Sequence, residues 1–193
     1  MSDNLGIEVG GAYDLRKSQE YQNINLSTHA ILAENNLSNR RVYEYSGYAQ
    51  LDWKPLPAWR VVLGRRFTQN ELFGENVSSR GTLVYSINEK NAIKFIAGQS
   101  FRTPNLFELY FATPTKTVFG NETLKPETAD TFELGYQHAR GYFYLQALAY
   151  YSIYKDKIHR IKGNVTLEEG TLLNNVNVYT NGDEFIHCER LGS

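Results

Sequence analysis

Along most of this chain apolar and polar residues alternate one by one. Within Glu44–Trp53, Tyr45, Gly47, Ala49, Leu51 and Trp53 share one parity, while Glu44, Ser46, Gln50 and Asp52 hold the other. Trp59, Val61, Leu63 and Phe67 repeat the pattern against Arg60, Gly64, Arg66 and Thr68. Leu83, Tyr85 and Ile87, then Ile93, Phe95 and Ala97, then Phe132, Leu134 and Tyr136 continue it. In Tyr142–Tyr154 the odd positions are wholly apolar and the even ones are mostly Tyr, Gln and Ser. Successive side chains of a strand point to opposite faces, so this is the signature of sheets with one apolar and one polar face. Leu5–Tyr13 and Ile24–Leu32 show a weaker version, Asn174–Phe185 reads as a last strand, and no segment sustains a helical period. The pattern predicts an all-β, antiparallel, up-and-down sheet of about nine strands.

The connections sharpen this. Lys54–Pro57, Asn88–Asn91 and His138–Gly141 are short links with proline, asparagine or glycine available for a turn. Between them lie long polar stretches at Glu34–Arg41, Gln69–Arg80, Arg102–Ala129 and Lys155–Leu172. Short and long connections alternate, so all the short ones fall at one end of the sheet. A soluble sandwich has no reason for that arrangement, whereas outer-membrane barrels pair short periplasmic turns with long extracellular loops. Several predicted strands also reach the ~9–11 residues that a tilted transmembrane strand needs. Trp53, Trp59, Phe67, Phe101, Tyr136, Tyr151 and Tyr154 lie near strand ends, where a membrane barrel carries its aromatic girdles.

Composition removes other possibilities. Twenty Lys and Arg stand against 21 Asp and Glu in 193 residues, a net charge of −1 that gives no reason to expect nucleic acid as a partner. One cysteine, Cys188, excludes an internal disulfide framework. His29, His138, His159 and His187 are scattered without metal-ligand spacing, and the glycines form no phosphate-cradling loop. No catalytic residue, metal site or cofactor is expected. No apolar run approaches the ~18–20 residues of a membrane helix, and Met-Ser-Asp-Asn-Leu-Gly lacks the regions of a signal peptide. A β-barrel keeps its mean hydropathy low because its lumenal side chains are polar, so the mean hydropathy of −0.47 fits a membrane barrel as well.

Two stretches carry a more specific message. Phe101-Arg102-Thr103-Pro104-Asn105-Leu106-Phe107-Glu108-Leu109-Tyr110 resembles a signature of TonB-dependent outer-membrane receptors. A second element of that family follows at Gly120-Asn121-Glu122-Thr123-Leu124-Lys125-Pro126-Glu127, leading into a strand that bears Glu133 and Gly135. Weaker echoes run from Tyr43 to Phe185, including Gly64-Arg65-Arg66-Phe67. The domain is read as residues 1–186, with 187–193 as a tail outside the family pattern. Pro104 and Pro126 interrupt strand pairing, and Arg102, Glu108, Glu127 and Glu133 are expected to form an ion-pair cluster at the loop base. Phe101, Asn105, Leu109, Gly120, Asn121, Leu124 and Gly135 are expected to fix loop and wall.

The resemblance implies import across the outer membrane of a Gram-negative bacterium. Such receptors sit in outer-membrane lipid and bind a scarce solute through extracellular loops and a plug domain. They then draw energy from the TonB complex. A ferric siderophore is the default substrate by family frequency, and iron chelate is the expected small-molecule partner. The loop-borne candidates for contact with it are Tyr110, Phe111, Lys116, Phe119 and Phe73, with the Lys155–Arg160 segment. Aromatic faces offer stacking area and cations meet an anionic chelate. The family's barrel has about 22 strands and a preceding plug. This chain is therefore expected to be an incomplete part of such a barrel, without plug or TonB box. The alternative is a non-transporting outer-membrane or surface β-domain: a small barrel, an adhesin or an outer-membrane enzyme.

Overall fold

The computed structural model of the chain describes residues 4–19, 22–34, 37–113, 115–167, 169–182 and 185–190, with 22–23, 32–34 and 185–190 described by backbone alone. Its strands are β1 (Leu5–Lys17), β2 (Gln22–Ile24), β3 (Ile31–Glu34), β4 (Arg41–Leu56), β5 (Trp59–Asn70), β6 (Gly74–Asn88) and β7 (Asn91–Arg102). A single helical turn, α1 (Leu106–Tyr110), precedes β8 (Val118–Phe119), β9 (Glu127–Arg140), β10 (Phe143–Lys155), β11 (Ile158–Thr166), β12 (Leu172–Asn181) and β13 (Phe185–Arg190). Eight of these form one antiparallel wall in the order β1-β4-β5-β6-β7-β9-β10-β13, open at both edges. A small sheet β11-β12-β8 and the β2–β3 hairpin lie in the connections.

The predicted wall strands and the asymmetry of their ends are present. Pro57-Ala58, Glu89-Lys90 and Gly141-Tyr142 are two-residue turns at one end, and Gly141 takes the positive φ of 60° that its turn requires. Three expectations are corrected. Gln69–Arg80 is not a loop, because β5 and β6 extend outward as a hairpin closed by residues 71–73. There Asn70 Oδ1 accepts from the N–H groups of Leu72 and Phe73. Lys155–Leu172 contains β11, and the strand expected at Asn174–Phe185 pairs with β11 rather than with the wall. The wall is completed instead by β13, paired with β10 through Tyr154↔Phe185 to Ala149↔Arg190, so 187–190 also lie in a strand. Beyond Phe67 the outward positions Gln69 and Glu75 are polar, so the alternation that reveals a strand fades in the β5–β6 extension.

Buried apolar residues are few among those described. Val42 and Ile96 lie on the inward face, while Leu109, Phe111, Leu124 and Val176 lie beneath the loops. The other face is mostly apolar and bare, with Ile7 73% exposed, Val9 72% and Leu134 56%, although Arg65 and Ser79 share its parity. The inward face is polar, with Arg60 donating to Asp52 (Nε–Oδ1, 2.9 Å), Arg66 to Ser46 (2.8 Å) and Tyr48 to Glu8 (2.9 Å). A globular protein would bury the first face; a membrane wall turns it to lipid.

The register converts that face into a membrane level. The row Leu5–Trp53–Val61–Leu83–Phe95–Leu134–Ala149 runs straight across the wall. Outward apolar residues begin at Leu5 on β1, but on β10 they begin at Phe143, six residues below Ala149. Six residues span ~20 Å and the six interstrand steps ~29 Å, so the apolar band crosses the ladder at about 35°. That is the strand tilt of a transmembrane barrel. One border of the band carries Trp53, Trp59, Tyr85, Tyr136 and Phe143, with Trp59 and Tyr85 rings 4.5 Å apart. The other carries Tyr13, Tyr43 and Tyr45, with Tyr13 5.1 Å from Tyr45 and 6.4 Å from Tyr43. Of the girdle residues expected from sequence, Tyr154 alone has inward parity, opposite Ala129.

Leu63 lies midway along the outward stretch of β5 from Trp59 to Phe67. Leu63→Arg is expected to destabilise the chain folded in phosphatidylcholine vesicles by ~2–4 kcal/mol. Thr82→Arg, on the inward face, should change stability by no more than about 0.5 kcal/mol. Denaturant titration of both variants checks this; a larger loss for Thr82→Arg would contradict the assignment of faces.

Candidate functional site

The site begins where β7 meets Pro104. Proline has no N–H for the ladder, so pairing stops at Arg102↔Glu127 and the chain turns. Asn105 caps α1: its side chain accepts from the Glu108 N–H (2.8 Å), and the Glu108 carboxylate accepts from the Asn105 N–H (2.9 Å). This reciprocal capping box satisfies orphan amides of a helix only one turn long. It also aims Glu108 at Arg102.

Arg102 is a two-sided fork. Its Nη1 and Nη2 donate to Glu108 (2.9 and 3.1 Å), while Nε and Nη2 donate to Glu127 (2.9 Å each). Both groups end their strands on the loop side, past the ~9–11 residues that cross the membrane. Two carboxylates hold the guanidinium proton more firmly than usual, Glu127 contributing most. The Glu127 carboxyl is held below the ordinary range, first by Arg102 and also by the Ile158 N–H, while partial burial opposes the shift. That amide lies 2.5 Å from Glu127 Oε1, so one carboxylate joins the wall to β11. Glu133, expected in the cluster, is not in it. It lies six residues, ~20 Å, further along β9, opposite Ile96 and Tyr150.

Two asparagines clasp the connections on either side. Asn121 Nδ2 donates to the Tyr179 carbonyl (2.9 Å), and its Oδ1 accepts from the Thr123 N–H (2.9 Å). Asn181 accepts from the Lys125 N–H (2.8 Å) and donates to the carbonyls of Lys125 (3.0 Å) and Asp156 (2.6 Å). β8 adds parallel pairing, Asn177↔Val118 and Val178↔Phe119. Gly120 passes so close to α1 that an added Cβ would stand 2.5 Å from the Leu109 carbonyl oxygen. Leu124, 3% exposed, fills the space beneath.

This framework presents an aromatic platform. Phe107 and Phe111 stack at 4.0 Å, and Tyr179 meets Phe107 edge-on at 6.4 Å. The Arg160 guanidinium lies 5.9 Å from the Tyr179 ring centroid. Tyr110 is engaged elsewhere, with the Arg40 guanidinium 4.2 Å over its ring. Below the platform a trough of about 350 Å³ is lined by Arg16, Glu44, Arg66, Thr68, Ser78 and Ser100, with Arg102 and Thr103 at its edge. Arg16 donates to Thr103 (3.1 Å) and lies 3.6 Å from Glu44. Thr68 is 1% exposed, and its hydroxyl has no protein partner among the described residues. None of the described residues groups three or more His, Cys, Asp or Glu side chains able to hold a metal.

The candidates named from sequence separate accordingly. Arg102, Pro104, Asn105, Glu108, Leu109, Gly120, Asn121, Leu124, Pro126 and Glu127 come together in the framework. Phe101 faces outward opposite Thr128, and Gly135 sits on the wall between Lys94 and Leu148. Phe111 belongs to the platform but is buried; Phe119 pairs with Val178 and Ala112. Lys116 pairs with Glu169 at 3.3 Å, both highly exposed, an interaction of little energetic weight. Phe73 sits on a different connection, the β5–β6 turn. Sequence reasoning missed Phe107, Tyr179, Asn181 and Arg16. Phe107 and Phe111 stand four apart behind Asn105-x-x-Glu108, a capping signature that could have exposed the helix.

The sequence model described as "TonB dependent receptor-like, beta-barrel" matches residues 2–185. The chain belongs to this family of TonB-dependent receptors. Its members are outer-membrane transport receptors, and this TonB-dependent receptor chain is accordingly an outer-membrane barrel wall. It is 26% identical over 165 residues to an iron-regulated outer membrane virulence protein of Vibrio cholerae, covering 81% of this chain and 23% of that protein. A vitamin B12 transporter, BtuB, of Vibrio cholerae is 30% identical over 78 residues, 40% of this chain and 12% of the transporter. The siderophore receptor PirA from Pseudomonas aeruginosa superposes with a TM-score of 0.76 at 17% identity, over 94% of this chain and 31% of the receptor. A mutant of the ferric enterobactin receptor PfeA from Pseudomonas aeruginosa, in complex with enterobactin, gives 0.75 at 19%, over 95% and 30%. The chain thus spans less than a third of each of these four proteins.

Two outcomes test the framework. Gly120→Ala is expected to cost ~1–3 kcal/mol by overpacking against backbone, measured by denaturant titration, and a neutral result would contradict the close approach. The depressed Glu127 carboxyl contributes stability that is fully present above its unfolded value, about pH 4.3, and is lost as pH falls through its lower folded value. An NMR titration should therefore find Glu127 ionising below ~4.3, with the Ile158 amide following it. Titration at or above that value would refute the fork.

Proposed function

We propose that this chain forms part of an active-transport receptor that binds a scarce iron chelate outside the cell and imports it with energy from the TonB complex. A ferric siderophore is the substrate class that fits best. One observation carries the reading: α1 and the β11–β12 hairpin, joined by the two asparagines, bring Phe107, Phe111, Tyr179 and Arg160 to one place at the mouth. Flat rings beside a cation suit an anionic chelate with aromatic donor groups. The iron-regulated relative and the siderophore receptors of similar fold support the choice. No catalytic role is assigned to any side chain; the work is binding, closure and passage. The candidate contacts are Arg160, Tyr179 and Phe107, with Phe111 as the ring behind them, while Tyr110 and Phe119 are engaged elsewhere in the loops and neither Lys116 nor Phe73 joins the platform.

Uptake of labelled ferric enterobactin, compared with labelled cyanocobalamin, by cells carrying the complete reading frame around this chain tests the proposal. Ferric chelate uptake that requires the gene and an intact TonB complex is the expected result. Cobalamin uptake alone would overturn the substrate, and energy-independent uptake would overturn the mechanism. Arg160→Ala should raise half-saturation by about two- to fivefold, the usual weight of one exposed cation beside a ring.

A further inference from the structure

The outward face holds a feature that solute import does not use. On β1 the outward apolar run extends from Leu5 to Leu15, ten residue steps or ~33 Å along the strand. At the tilt of about 35° this rises ~27 Å, close to the ~25 Å apolar band of an outer-membrane barrel. The next outward residue, Lys17, therefore emerges at headgroup level. It stands directly opposite Arg41 on β4. Immediately below are Leu15 opposite Tyr43 and Tyr13 opposite Tyr45, the tyrosines of the upper girdle.

Like charges directly opposed on neighbouring strands destabilise a sheet. Lys17 and Arg41 are exposed, and neither makes an ion pair among the described residues. Among the described side chains, the adjacent acids are committed elsewhere. Asp14 and Glu44 share the inward parity and face Arg16, while Glu71 accepts from the Tyr43 N–H at 3.2 Å. Two opposed, unneutralised cations above an aromatic belt make a level-matched receptor for an anion in the headgroup layer. A phosphate monoester carries up to two negative charges and several acceptor oxygens, which suits one ammonium and one guanidinium.

We propose that Lys17 and Arg41 form an outward-facing binding site for the phosphate of an outer-leaflet lipid headgroup. The site fixes the height of the β1–β4 hairpin in the membrane and offsets the repulsion between its two cations. It rests on the reading of this face as lipid-facing.

The test uses the full chain folded in a neutral maltoside micelle, titrated with phosphatidic acid or phosphatidylcholine and read by native mass spectrometry. Near-surface cations each contribute about fivefold to anionic lipid binding, so Lys17→Gln/Arg41→Gln should weaken phosphatidic acid binding about 25-fold. Phosphatidylcholine binding should be unchanged. Arg140→Gln, exposed on the same face at the opposite end of β9, should leave both unchanged. An unaltered affinity in the double variant, or an equal loss with Arg140→Gln, would overturn the site. Displacement of phosphatidic acid by inorganic phosphate at similar concentration would show a free-anion site and overturn the lipid assignment. Failure to take up either lipid would instead refute the lipid-facing wall itself.

Discussion

A peptide group in hydrocarbon has no water to bond, so each N–H and C=O of a spanning segment must find its partner in a neighbouring strand. That requirement sets the ladder, and the ladder sets almost everything else in this molecule. Once Leu51 stands opposite Leu63, Leu63 opposite Gly81 and Gly81 opposite Ala97, every other side chain has been assigned to lipid or lumen. The scarcity of a conventional core follows. Burial inside the protein cannot be the main destination for the apolar residues of a wall one strand thick. The girdle tyrosines and tryptophans then stand at the two levels where an apolar ring with a polar edge is best placed.

The second constraint is how such a wall hands over to its loops. β7 and β9 must stop pairing at a defined residue, and the connection must still leave the wall in a fixed direction. Arg102 meets both needs because its planar guanidinium can serve two carboxylates at once, one on the capped helix and one at the start of β9. Glu127 in turn receives the first amide of β11, so wall, helix and hairpin share a single polar joint. A lysine, with one charged nitrogen and no fork, could not hold both acids in that geometry. The side chains are partly exposed, so the value of the joint lies in direction more than in binding energy.

Much of this could be read from the sequence, and the parts that could not have a common cause. The wall strands were legible because lipid and lumen impose opposite demands on alternate residues. The extension of β5 and β6 beyond Phe67 was not, because its outward pair, Gln69 and Glu75, is polar, and the β11–β12 hairpin was hidden in a stretch rich in Lys, Arg, Asn and Glu. The framework of the site was legible through residues forced by geometry, such as Pro104 at the end of a ladder and Gly120 against a backbone carbonyl. Phe107 and Tyr179 were hidden because their meeting depends on Asn121 and Asn181 reaching across some 60 residues of chain, 58 and 56 in sequence. Glu133 was misassigned to the cluster for the converse reason: a shared motif does not bring together residues ~20 Å apart on one strand.

The two-residue turns and the strict register have an evolutionary corollary. Deleting one residue from β5 would reverse the exposure of everything beyond it as far as the next turn, turning Arg66 outward and Phe67 inward, with Thr68 in the place where Phe67 now meets lipid. Deletions of two would keep the faces and shift only the height. The 156–184 connection can lengthen or shorten by any number, provided its clasp to the neighbouring loop survives. Divergence among relatives should therefore concentrate its insertions and deletions on one side of the membrane. The opposite side should drift by substitution alone.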